Sequence, residues 1–552
     1  MRYDHREGTV LIASSEHRFT FDAVSQLDRD TSTALVTIRE WRNSLVPINR
    51  IPLEVLSMIP THLSDENDLL SATSVCRHWR RTFIQQAALW SQLNLTINRS
   101  DFFVKTLLER AKGSALDIKS ACLDSADTLA LLSPHALKFR TLDFVYGCWS
   151  DIQKFSEAAY GPLPLLHTLK INVVESDTLR PATVNHPSLP LFSGAANLKE
   201  FILRSEGVPF LNHFAFPNLT TFELSATPED EVFPTSQLLD FLEASSTLQT
   251  VRIWIDAEVS LGGIPPAKVI VLPNVEIFSI TQDEPGHKIS AHILCPSARH
   301  MSLIYEQDAD AGIPQEAFPT SASWNAISPQ YMANTVDEVV LGITTAGDDV
   351  LSCSLFLSSP GSATLELGYR MIAGYEDYDE ALLSLGEKHS EAFSQACIAI
   401  RKHPLLRNVK RLRIRDRHHS LTPHQLGCIA KEAARLLKSM SPLEELTLDV
   451  DDLRPFLSPF FDLPEFQGLM DLDEFPSTKG LTIAKRSDRP LDDRCVAAIL
   501  GFVNSQYTRG VPFERVVFHL KSPPMGMAER LEPWVGTVHF SEEMLGEDQD
   551  SL

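Results

Sequence analysis

The chain has 552 residues, 43% of them hydrophobic, and carries 72 acidic against 49 basic side chains, for a formal net charge of −23. A surface this negative repels phosphate backbones, which argues against nucleic acid as a general partner. The opening MRYDHREGTV lacks the layout of a secretory signal, and no window of about 18 apolar residues offers a membrane span. Eight scattered cysteines without a CxxC pair point to reduced thiols, with no disulfide framework and no zinc site. A protein of the cytoplasm or the nucleus is expected.

Residues 1–45 read as an N-terminal extension. In the next stretch, 46–95, Pro52 suits the first turn of a helix, where its missing N–H costs nothing. Leu53, Leu56, Ile59 and Leu63 follow at three- and four-residue steps, with Val55 beside them, and form one apolar face. Pro60 is expected to end this helix early. The polar run from Ser64 to Asp68 supplies a turn and an N-cap for a second helix that carries Leu69, Leu70, Thr73 and Cys76. A third short helix begins near Trp79 and carries Phe83 and Leu89, ahead of Trp90. Three short helices over roughly 45 residues cannot bury this much apolar surface among themselves. Either a partner covers the remainder, or the segment is the first helical part of a larger core.

The same residues match a known pattern. Ile51-Pro52-x-Glu54-Val55-Leu56, then Asp68-Leu69-Leu70, then Val75-Cys76-Arg77-x-Trp79-Arg80, and finally Leu89-Trp90 stand in the order and spacing of an F-box. Residues 46–95 therefore resemble the fungal F-box-domain family, with Ile51 in place of the usual Leu and Pro60 where the first helix is often continuous. The resemblance implies docking on a Skp-type adaptor, and through it on a cullin–RING ligase. It also implies Pro52, Leu53, Val55, Leu56, Ile59, Leu69, Leu70 and Val75 as adaptor contacts, with Cys76 and Trp79 holding the helices together.

From 96 to 540 a local template recurs, L-x-x-L-x-L, often just after a proline or a polar turn. Examples are Leu166-x-x-Leu169-x-Ile171, Leu198-x-x-Phe201-x-Leu203, Leu219-x-x-Phe222-x-Leu224, Leu248-x-x-Val251-x-Ile253 and Val275-x-x-Phe278-x-Ile280. Val336-x-x-Val339-x-Leu341, Val409-x-x-Leu412-x-Ile414, Leu443-x-x-Leu446-x-Leu448 and Phe513-x-x-Val516-x-Phe518 continue the series. Each final alternation is a half-buried strand. Steps of about 20 to 35 residues suggest a solenoid in which each unit covers the next. The pattern resembles a degenerate leucine-rich repeat that largely lacks the Asn or Cys following the strand; the alternative is an ordinary α/β domain with several short strands. The fold class expected is α/β, a short all-α F-box followed by an irregular leucine-rich-repeat-like solenoid, or horseshoe. Helices are expected after Thr422-Pro423, with a stripe at Leu426, Ile429, Ala430, Ala433, Leu436, Leu437 and Met440, and after Asp492-Asp493, with Val496, Ile499, Leu500 and Val503. Residues 305–333 read as a long loop, and 541–552 as an acidic tail.

No GxSxG elbow, phosphate-binding glycine loop or HExxH is present, and no catalytic residue, cofactor or metal site is expected. His418, His419 and His424 sit near a polar turn, and the run Asp449, Asp451, Asp452 reads as a solvated loop. One segment stands out by charge: Arg411, Arg413 and Arg415 alternate with Leu412 and Ile414, so the arginines share the polar face of a strand. They are the candidate site for a protein substrate, against the simpler reading of a solvated strand balanced by nearby acids. The expectation is a non-catalytic substrate receptor, with a scaffold that transfers no ubiquitin as the alternative.

Overall fold

The computed structural model describes residues 2–4, 9–11, 19–63, 66–95, 100–120, 126–147, 149–159, 161–174, 191–207, 211–227, 232–256, 259–260, 268–282, 289–308, 338–346, 350–358, 364–372, 391, 393–398, 400–401, 409–416, 423–440, 443–450, 453, 478–485, 491–520 and 523–541. The chain divides into two compact units, Met1–Asp143 and Phe144–Leu552.

In the first unit a small antiparallel sheet over 2–4, 9–11 and 19–20 precedes the long helix α1 (Phe21–Ser44), none of whose residues is buried. Three short helices follow, α2 (Leu53–Met58), α3 (Glu66–Ser74) and α4 (Arg77–Gln85). Pro52 stands at the N-cap of α2, its carbonyl accepting from the Leu56 N–H at 2.9 Å. The helix stops at Met58, and a 3-10 turn over Ile59–His62 takes Pro60, which has no N–H to continue the ladder. Strand β1 (Gln92–Leu95) and strand β2 (Leu116–Ser120) pair in parallel. A parallel pair needs a crossover, supplied by α5 (Asp101–Ala111), which Ser100 caps and which buries Val104, Leu107, Leu108 and Ala111. Trp90 welds the helical part to this crossover. Its indole N–H donates to the Phe83 carbonyl at 2.9 Å, and the Arg110 guanidinium lies 4.4 Å above its ring.

The second unit is built on one ladder of strands: β3 (Thr168–Val173), β4 (Glu200–Ser205), β5 (Thr221–Ala226), β6 (Thr250–Ile255), β7 (Ile277–Gln282) and β8 (His300–Asp308). It continues with β9 (Glu338–Ala346), β10 (Val350–Ser358), β11 (Thr364–Ile372), β12 (Arg411–Asp416), β13 (Glu445–Val450), β14 (Gly480–Lys485), β15 (Arg515–Leu520) and β16 (Thr537–Ser541). Strands β3 to β8 pair in parallel, each with the next. The ladder then passes through β11, β10 and β9, with antiparallel pairing on both sides of β10, and resumes in parallel from β12 to β16.

The recurring template supplies the register. Its middle residues, Leu169, Phe201, Phe222, Val251 and Phe278, are successive Cα partners and fully buried. The same column continues through Met301, Leu365, Leu357, Val339, Leu412, Leu446, Leu481, Val516 and Val538. Among Leu169, Phe201, Phe222, Val251 and Phe278 a one-residue slip would turn the buried set outward, so burial fixes these pairings. Behind the column pack aromatic side chains such as Phe214 and Phe241, 4.8 Å and 4.7 Å from Phe201 and Phe222. Helix α6 (Pro423–Ser439) begins at the expected proline and buries Ile429, Ala433, Leu436 and Leu437. Helix α7 (Asp493–Thr508) is capped by Asp492, whose carboxylate accepts from the Cys495 N–H at 2.6 Å, and it buries Val496, Ile499, Leu500 and Val503.

A second ladder was not apparent from the template. The polar residue just ahead of each leading apolar position sends its side chain to the preceding turn. Asn197 donates to Pro164 O at 2.9 Å, Asn218 to Ala196 O at 2.8 Å, Thr247 to Pro217 O at 3.2 Å, Asn274 to Ser246 O at 3.0 Å and Ser297 to Pro273 O at 2.6 Å. The rungs are thus stapled before the strand, where a regular leucine-rich repeat places its polar residue after it. One loop expectation needs correction. Residues 305–308 belong to strand β8, extended by the partner strand β11, while 309–333 lie outside the described residues, as does the tail from 542 on.

Candidate protein-interaction sites

The three short helices of the first unit have a core of their own. Leu56, Ala72, Trp79 and Phe83 form it, with Ile51, Ile59, Leu63, Cys76 and Leu89 packed around them. Trp79 meets Phe83 edge-on at 5.4 Å. Its indole N–H donates to Asn49 Oδ1 at 2.8 Å, and Asn49 Nδ2 donates in turn to the Asn43 carbonyl at 2.8 Å. The Cys76 thiol lies 3.9 Å from the same Asn49 oxygen. Asn49 is thus a polar staple between the end of α1 and α4, and the apolar spacing of the segment gives no hint of it. Arg80 Nε ties α4 to α3 through the Thr73 carbonyl at 3.0 Å.

Two of the expected adaptor contacts lie inward. Leu56 is completely buried inside this core, and Leu69, outside the cluster, is buried as well. Of the others, Pro52 is exposed and Ile59 and Leu70 are half-buried. Leu53, Val55 and Val75 expose 55%, 48% and 58%, and Met58, absent from the expected set, exposes 59%. A complete small core that still leaves such side chains in water is what a docking module requires. Cys76 and Trp79 sit where a packing role places them.

A family model described as F-box-like matches residues 48–96. The chain carries an F-box-like domain. A search of the curated proteins finds no match. The matched segment holds the exposed side chains of α2 and the Asn49–Trp79 staple, and it ends at the strand β1 that follows Trp90.

Beyond the F-box-like domain, the basic strand is not a free patch. Leu412 and Ile414 point into the core as expected, but Arg413 and Arg415 both turn to Asp449 on the neighbouring strand β13, at 3.1 Å and 3.3 Å. All three side chains are largely covered, Asp449 to 4% exposure, so two of the three candidate arginines are held by an internal acid. Arg411 is exposed. Nearby cations are matched in the same way, Arg401 and Arg435 with Glu432 and Arg515 with Glu445. With acids in such excess, a basic strand finds acidic neighbours on the strands and helix around it. Asp451, Asp452, His418 and His419 lie outside the described residues.

A different part of the ladder is open. The outward residues of β4 to β7 form a concavity of about 390 Å³. Arg204, Ser225, Trp254 and Thr281 are successive Cα partners along it, beside the row Ile202, Glu223, Arg252 and Ser279. Trp254 is exposed between two small hydroxyl residues. Arg252 pairs with Glu223 at 2.7 Å, whereas Arg204 is exposed and carries no ion pair among the described residues. An exposed indole, an exposed guanidinium and hydroxyls on one rigid surface can hold a peptide through an apolar side chain and a nearby carboxylate. The alternation of strand residues could have revealed this row, but their charges are mixed and draw no attention.

Among the described residues no group of three His, Cys, Asp or Glu side chains could hold a metal ion, and no helix is long and apolar enough to cross a membrane. Burial pushes the Cys295 thiol up to about 12, which keeps it protonated and poorly nucleophilic at neutral pH.

Proposed function

We propose that the chain is the substrate receptor of a Skp–cullin–F-box ubiquitin ligase, and that it performs no bond chemistry itself. The single observation that carries this is the F-box-like domain with a finished internal core and an unfinished apolar exterior at Leu53, Val55, Met58 and Val75. Covering these four side chains on a Skp-type adaptor is worth on the order of 8 kcal/mol gross, before the costs of association. The second unit acts as the substrate-holding body. Its in-register strands and return segments support the irregular leucine-rich-repeat-like horseshoe expected within 96–540, with the substrate on the outward face around Trp254 and Arg204. The mechanism is proximity: a bound protein held near a charged ubiquitin carrier meets it at a high effective concentration. Such a receptor would work in the cytoplasm or the nucleus.

Affinity purification of the tagged chain followed by mass spectrometry tests the assignment. Recovery of an adaptor together with a cullin supports the receptor, and an adaptor without cullin supports the scaffold that transfers no ubiquitin. The absence of any adaptor would refute both. A Trp254→Ala, Arg204→Glu variant should keep the adaptor and lose the co-purifying substrate; unchanged substrate recovery would move its site elsewhere.

A further inference from the structure

Helix α1 is a 24-residue helix with no buried side chain. Its middle, Thr31-Ser32-Thr33-Ala34-Leu35-Val36-Thr37, is rich in residues of low helix propensity, and a bare helix of such composition is marginal in water. Its Glu40–Arg77 ion pair to α4 has both partners exposed and contributes little. Something else must cover α1, and its sequence describes the cover. Counting from Val24 as position a of a heptad, the a positions hold Val24, Thr31 and Ile38, and the d positions hold Leu27, Ala34 and Trp41. Leu27, Ile38 and Trp41 each expose more than half of their surface.

We propose that this seam pairs antiparallel with α1 of a second copy of the chain. In an antiparallel pair an a residue packs against a d residue of the other helix, and the seam matches itself. Val24 meets Trp41 of the second copy, Leu27 meets Ile38, and Thr31 meets Ala34, each contact occurring twice about a two-fold axis. The flanking e positions are Asp28, Leu35 and Arg42. Side chains lean toward the N-terminus of their own helix, so antiparallel e residues reach toward one another. Asp28 then faces Arg42 of the second copy at both ends, and Leu35 faces Leu35 in the middle. A parallel pair would set e against g instead, placing Leu35 beside Asp30 and Arg42 beside Thr37. That arrangement forms no ion pair and leaves an apolar residue against a carboxylate. The charge pattern therefore selects both the partner and its direction.

Sedimentation equilibrium of the full-length chain at micromolar concentration tests this. A dimer is expected, and Ile38→Asp should make it monomeric while the main thermal transition, followed by circular dichroism, stays in place. Asp28→Arg and Arg42→Asp should each weaken the dimer about tenfold, and the double variant should restore it, because the pair is rebuilt with reversed polarity. A monomeric wild-type chain, a dimer indifferent to Ile38→Asp, or a double variant as weak as the singles would each overturn the proposal. A wild-type chain that stays monomeric alone but needs Ile38 to bind a Skp-type adaptor would assign the seam to the adaptor, and overturn it as well. Val55→Asp, aimed at the adaptor surface, should leave the dimer unchanged, so this inference and the proposed function fail independently.

Discussion

Two adjacent positions of α2 separate folding from docking in the F-box-like domain. Leu56→Ala removes a fully buried side chain from the cluster with Ala72, Trp79 and Phe83. Large-to-small changes at such sites cost about 2–5 kcal/mol, a large share of the total stability of a small domain. Val55→Asp, one residue earlier, alters a side chain that is half in water, and surface changes of that kind stay within about 0.5 kcal/mol. In the proposed complex the order reverses. The carboxylate introduced by Val55→Asp would stand as an unpaired charge in an apolar interface, costing about 3 kcal/mol or more, which is roughly 100-fold in Kd. Urea unfolding of variants in which the other tryptophans are replaced by Phe, so that Trp79 reports, together with calorimetric titration of a purified Skp-type adaptor, measures both effects. Leu56→Ala should shift the unfolding midpoint strongly, and Val55→Asp should abolish titratable binding at an unchanged midpoint. A stable Leu56→Ala domain would refute the core; full-affinity binding by Val55→Asp would refute the docking surface.

Other outcomes follow from single contacts. Asn49→Leu leaves the Trp79 indole N–H without its acceptor and should cost about 1–3 kcal/mol in the same unfolding assay, whereas Asn49→Asp, which keeps an acceptor oxygen, should cost less. Asp449→Ala strands Arg413 and Arg415 side by side in a mostly covered site, so it should destabilise the second unit by about 3–5 kcal/mol, seen as a lower melting temperature; an unchanged melting temperature would make the arginines a solvated face after all. Cys295 has its folded value raised from 9.0 to about 12, so the stability it contributes is complete below pH 9 and is lost as the pH rises from there toward 12. Cys295→Ala should therefore lose less stability than the parent chain over that interval, and a thiol reagent at neutral pH should label exposed Cys428 before Cys295, Cys397 or Cys495.

Strand positions were readable because inward residues recur every second position and the template carries its own register, as Leu169, Phe201 and Phe222 illustrate. The hairpin partners β10 and β11 escaped because antiparallel neighbours need no return segment and so no spaced template. The resemblance assigns Leu56 and Leu69 to the adaptor by position alone, and position does not say which neighbour covers a side chain. The fate of Arg413 depended on an acid on the next strand, close in space only once the strands are in register. Asn49 and the Asn–Ser–Thr rungs act through one hydrogen bond each, at separations that leave no periodic trace. The F-box signature itself was readable from its anchors, and the family match at 48–96 agrees with them.

The staples from Asn197, Asn218 and Asn274 hold β4, β5 and β7 at their points of entry, and the apolar column holds them along their length. Between one strand and the next, the connection is left free to vary. That from 206 to 220 and that from 451 to 479 differ about twofold in length, yet both deliver their strand to the same register. Doubling the length of a connection adds only about 0.6 kcal/mol of closure entropy. Insertions can therefore accumulate on the return side while the outward row keeps its geometry, and outward residues such as Ser225 or Trp254 can be exchanged without repacking anything behind them. The architecture keeps its heritable shape and its capacity to acquire new specificities on separate residues, so that diversification of one copy need not pass through misfolded ancestors.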